Sequence, residues 1–186
     1  MLDINNNIFK YLHKILTPVE NCMPNRSIFR VEKGDIPKLP IKNWILAMLD
    51  DKGKKRPRDA LSITFELFIL SKEILPSLEP KLELKCKGHG PYSEKLASSM
   101  KKLLSTKMLE LTENDSEATG GYSYVLTEGG AEKAEKILYK LPKTLREELK
   151  LMNTITTKMG KTGMIQYIYS IYPEYVCDFK GGKEIA

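Results

Sequence analysis

The chain has 186 residues, 41% of them hydrophobic, and 30 Lys+Arg against 24 Asp+Glu give it a formal charge of +6. That length suits one extended domain, or a core domain with helical additions, and it buries a core without disulfide or metal staples. No stretch approaches the ~18 consecutive apolar residues that span a bilayer, so no membrane partner is expected. The start, MLDINNNIFKYLHKIL, carries Asp3 and no small-residue cleavage site, unlike a signal peptide. Cys22, Cys86 and Cys177 are odd in number and far apart, which argues against a disulfide framework and for a reducing, cytoplasmic location. The basic excess attracts polyanions, but a nucleic-acid footprint needs clustering as well as a total.

In chain order, residues 4–16 read as an amphipathic helix with Ile4, Ile8, Tyr11, Leu12, Ile15 and Leu16 on one side. Pro18, Pro24, Pro37 and Pro40, with Gly34, make 17–40 irregular and place a boundary there. The expected organisation is therefore an N-terminal helix and arm (1–40), a main domain (41–140) and a C-terminal helical extension (141–186). A helix over 41–51 turns Ile41, Trp44, Ile45, Met48 and Leu49 inward. In the following segment Leu61, Ile63, Phe65, Leu67 and Ile69 alternate like a strand, yet the apolar run continues through Phe68, Leu70 and Ile74. That length favours a helix buried nearly all round, stopped by Pro76 and Pro80. KLELKC at 81–86 alternates and reads as a short strand.

Residues 91–107 are the most informative. Leu96, Met100, Leu103, Leu104 and Met108 form one apolar stripe at helical spacing. The opposite face carries Lys95, Ser98, Ser99, Lys102 and Thr106, with Lys101 beside it and Glu94 at the helix start, where the macrodipole favours an acid. Pro91 suits the first helical turn. MLELT at 108–112, a polar loop at 113–121 and YSYVL at 122–126 then read as a hairpin, its loop freed by Gly120-Gly121. Helices are expected from Thr127 to about Tyr139, over about 143–158 and over 162–172, the last two separated by a turn from Gly160 to Gly163.

Helices followed by a two-stranded hairpin are the order of a winged helix-turn-helix, whose recognition helix directly precedes the hairpin, or wing. The run from KMLEL to YSYVLTEGG resembles that superfamily across roughly residues 41–140. The fold class expected is mainly α (α+β), with a small wing and extra N- and C-terminal helices. Within it, GHGPYSEKL at 88–96 and the C-terminal YIYSIYPEY resemble archaeal and phage-associated proteins of the SocA-antitoxin and YwgA type. The resemblance implies double-stranded DNA or a protein as partner, the latter in an antitoxin or proteolysis-adaptor role.

The chemistry of these surfaces points two ways. Lys95, Ser98, Ser99, Lys101 and Lys102 suit phosphates and base edges in a major groove, although no arginine, the commonest base reader, is among them. The run KGKKRPRD adds Lys54, Lys55, Arg56 and Arg58 as phosphate contacts, flanked by Asp50, Asp51 and Asp59. The loop at 113–119 instead carries Glu113, Asp115 and Glu117, which phosphates repel. That favours a protein partner at the wing, or at the tyrosine-rich helix 162–172. Tyr167, Tyr169, Tyr172 and Tyr175 with Met164, Ile165, Ile168 and Ile171 suit either core packing or a homodimer interface. Cys86 and His89 lack further metal ligands at sensible spacing. GKTG at 160–163 has Ile155 where a phosphate-binding loop needs glycine. No nucleophile–base pair, cofactor motif or catalytic site stands out, so the expected function is DNA binding in transcription regulation, with a protein-interaction module as alternative.

Overall fold

A computed structural model describes residues 38–50, 57–88, 90–113 and 121–176. The helix expected at 4–16, Lys54 to Arg56, His89, most of the wing loop, Cys22 and Cys177 lie outside the described residues. The rest is mainly helical, with two small antiparallel sheets of two strands each.

Helix α1 (Ile41–Leu49) is buried from Trp44 onward, and α2 (Ala60–Ile69) is buried from Ser62 onward. Burial on every side explains why the α2 segment shows no helical period. Asp59 starts α2 by accepting the Ser62 amide at 2.7 Å. The apolar run continues past α2 as a π-turn (Leu70–Ile74), closed by Leu75 N–H to Leu70 C=O at 2.8 Å.

The strand expected at 81–86 is mostly not one. A 3-10 turn (Pro76–Leu78) leads into the short α3 (Glu79–Leu82), in which Pro80 needs no amide partner, and Glu83 then turns left-handed at φ 48°. Only Lys85–Cys86 (β1) pairs, with Pro91–Tyr92 (β2), in the register Lys85 to Tyr92 and Cys86 to Pro91. Pro91 is thus an edge-strand residue rather than a helical one. Helix α4 (Glu94–Ser105) begins instead at Ser93, whose hydroxyl accepts the Leu96 amide at 3.0 Å and donates to Leu82 C=O.

At its other end α4 closes with paired bonds, Lys107 N–H to Leu104 C=O and Met108 N–H to Leu103 C=O, both 2.9 Å. Lys107, at φ 52°, holds the left-handed position that usually belongs to glycine. The chain then forms the expected hairpin, β3 (Leu109–Glu113) with β4 (Tyr122–Leu126). Along the other edge of β4, Arg58 makes an isolated antiparallel bridge to Tyr124, with bonds of 3.1 and 2.8 Å.

Helix α5 (Glu128–Lys140) is capped by Thr127, whose hydroxyl accepts the Gly130 amide at 3.0 Å. The two helices expected after it are present as two helical stretches within Lys143–Ile171 (together α6), separated by a kink at Gly160. There φ 63° and ψ −176° belong to a region essentially restricted to glycine. Helix α1 packs on α4 and α5, and the second half of the molecule closes through α6 on α2. Trp44, Phe65, Phe68, Leu96, Leu103, Leu145 and Ile168 share the resulting core.

Candidate nucleic-acid interface

Helix α4 is divided as its sequence implies. Leu96, Met100 and Leu103 are buried, whereas Lys95, Ser98, Lys101 and Lys102 are exposed. The core contacts therefore fix which side faces outward. Ser99 is half-buried, and its hydroxyl bonds back to Lys95 C=O at 2.8 Å, so it belongs less to the outer face than its spacing implied. Lys95 forms an ion pair with Glu83 at 2.5 Å. Both partners are about half exposed, and such pairs contribute about 0.2–1 kcal/mol, so releasing Lys95 from Glu83 costs little. Lys101 and Lys102 make no ion pair among the described residues.

Arg58 is tied into the fold rather than standing free on the surface as its basic surroundings imply. Its Nε donates to Glu66 Oε1 at 3.0 Å, and one terminal nitrogen donates to Thr157 Oγ1 at 2.8 Å. Glu66, 1% exposed, also accepts from Thr156 at 3.3 Å. Burial raises the Glu66 pKa above the ordinary carboxylate value, and the neighbouring Arg58 charge only partly offsets this. Asp59 is opposite in sign. Burial works against its charge, but the Ser62 amide and Lys161, 3.3 Å away, outweigh it and hold the pKa low. Sequence reasoning missed this network because its partners lie 8 to 102 residues apart.

The β3–β4 hairpin is amphipathic in an unexpected way. Leu109, Leu111 and Glu113 share a face with Tyr122, Tyr124 and Leu126. Leu109 and Leu126 are in the core, while Leu111 is 45% and Tyr122 62% exposed. Glu110 and Glu113 are also exposed, and no basic residue stands on either described strand.

The C-terminal tyrosines are occupied within the chain. Glu73, on the π-turn, accepts from Tyr167 at 2.8 Å and from Tyr172 at 2.5 Å. Burial, with the Glu73 charge, pushes both phenols well above their ordinary pKa. Phe68 meets the edges of Tyr172 and Tyr175 at 5.2 and 4.7 Å, with the Lys72 ammonium over all three rings. Tyr167 and Tyr172 of the tyrosine-rich helix expected at 162–172 are thus engaged within the chain, while Ile171 at its end stays 51% exposed.

Cys86 is disulfide-bonded, contrary to the expectation from the odd cysteine count, and its sulfur is not available to a metal. Among the described residues no cluster of His, Cys, Asp or Glu has the makings of a metal site, and no helix is long and apolar enough to cross a membrane. No known family model matches the chain, and no curated protein is detectably similar to it.

Proposed function

We propose that the protein is a winged-helix DNA-binding regulator whose helix α4 enters the major groove. Ser98, Lys101 and Lys102 face the DNA, and Lys95 joins them once released from Glu83. The observation that carries this reading is the pair Lys101 and Lys102, exposed and without ion pairs among the described residues, on a helix whose other side is held by the core. The order of elements supports it. Helix α1, the Arg58 bridge, α2, α4 and the β3–β4 hairpin follow the winged-helix sequence, with the bridge as a minimal third strand. The segments between α2 and α4 are an insertion in that plan. The test is binding to duplex fragments across a salt series, comparing wild type with Lys101→Ala/Lys102→Ala. Loss of two phosphate contacts weakens binding and reduces the salt slope by about 2. An unchanged slope removes α4 from the interface.

Leu111 and Tyr122 favour a second reading, a protein-interaction module of antitoxin or adaptor type. Exposed apolar residues beside Glu113 suit a protein partner better than phosphates. If wild type binds no duplex DNA at any salt concentration, this surface takes precedence, and Leu111→Ser/Tyr122→Ser is the variant that abolishes partner capture.

A further inference from the structure

Behind the wing, a cavity of about 250 Å³ opens between the start of α2, β4 and the break in α6. Two cations and two carboxylates line it: Arg58 paired with Glu66, and Lys161 paired with Asp59. Among the described residues neither cation is saturated. A guanidinium has five N–H donors and an ammonium three. Among the described residues, the Arg58 side chain donates only to Glu66 and Thr157, and Lys161 only to Asp59. Met164, 2% exposed, supplies an apolar wall. Gly160 lies at the lining too, and the helix break there places Lys161 beside Asp59.

The charge pattern selects a ligand class. A simple anion drawn to Arg58 and Lys161 meets the two carboxylates as well, and a simple cation meets the reverse conflict. A ligand carrying both signs leaves neither unpaired. The volume is below the ~300–1,000 Å³ of drug-sized pockets, so the ligand is small. We propose that this cavity binds a small α-amino acid, its carboxylate on Arg58 and Lys161, its ammonium on Asp59 and its side chain against Met164. The site stands independently of DNA binding.

Isothermal titration calorimetry on the full chain tests it, with glycine, L-alanine, L-serine, L-threonine and L-valine as probes. Acetate, inorganic phosphate and ethylamine, each carrying charge of one sign only, are the controls. The expected result is 1:1 binding of at least one amino acid and none of the controls at the same concentration. Lys161→Met and Asp59→Asn, the latter keeping the helix cap, each weaken that binding at least tenfold while the far-ultraviolet dichroism is retained. Absence of heat with all five amino acids at millimolar concentration overturns the proposal. So does acetate or phosphate binding as tightly, or binding unchanged in both variants. The wild-type comparison with the controls decides the matter even where a variant fails to fold.

Discussion

Gly129 and Gly130 are neighbours in the first turn of α5, and replacing each with alanine is expected to have opposite effects. A Cβ on Gly130 would lie 2.0 Å from Met108 O and 3.3 Å from Leu126 Cδ2, whereas one on Gly129 meets nothing within 4 Å. Met108 cannot simply retreat. Its carbonyl accepts the Thr127 amide at 3.2 Å, and the Thr127 hydroxyl holds the adjacent Lys107 carbonyl at 2.7 Å. Both substitutions restrict the unfolded chain and favour helix, which contributes about 0.4–1 kcal/mol where the native backbone accepts alanine. Overpacking costs about 1–3 kcal/mol, and a contact with backbone belongs at the top of that range. The net effect is a loss of about 2 kcal/mol for Gly130→Ala and a gain of about 0.4–1 kcal/mol for Gly129→Ala. At ~2–4 °C per kcal/mol for a chain of this size, thermal melts by circular dichroism should fall by roughly 4–8 °C and rise by roughly 1–4 °C. A Gly130→Ala protein that melts at or above wild type refutes the close approach of α5 to the end of α4.

Replacing Gly160 with alanine forces a side chain into a backbone region costing about 1–3 kcal/mol, so urea midpoints should drop although a Cβ there meets open space. Because the folded-state pKa of Glu66 is raised, its contribution to stability is fully present below the ordinary carboxylate pKa and is lost as pH rises through the folded value. The stability of wild type relative to Glu66→Gln, measured by urea denaturation, should therefore shrink from about pH 4 upward; growth over that range contradicts the assignment. Tyr167 and Tyr172 also have raised pKa values, so their contribution is present below about pH 10 and lost above it. Alkaline titration at 295 nm should show a delayed component that ionises only as the fold is lost and that is reduced in Tyr167→Phe/Tyr172→Phe.

What the sequence revealed depended on how local the physics was. The stripe Leu96, Met100, Leu103 repeats within one helix, so α4 and its outward face were readable directly. The hairpin was readable from the alternation in YSYVL and its glycine-containing loop. What was not legible involves partners outside the local repeat. Pro91 pairs with Cys86 across a turn, and so is a strand residue where local preference favoured a helix start. Glu83, twelve positions before Lys95, occupies that lysine. Arg58 sits in a basic run, but the buried Glu66 and distant Thr157 fix its direction. The C-terminal tyrosines read equally as core or interface until Glu73 on the π-turn is seen to bind two of them. Conversely, the Leu-Thr-Glu-Gly-Gly run was a pattern in sequence and acquires a cause at its second glycine, Gly130, where a Cβ would meet Met108 O.

The most direct measurement is nuclear magnetic resonance mapping of the full chain titrated with a duplex DNA fragment at low salt. A groove-facing α4 requires amide shifts concentrated at Lys95, Ser98, Lys101 and Lys102, reversed by added salt. Leu111, Tyr122 and the Glu73–Tyr172 contact should stay unchanged. Shifts confined to the wing, or the absence of any shift along α4 at saturating DNA, would contradict the DNA-binding reading.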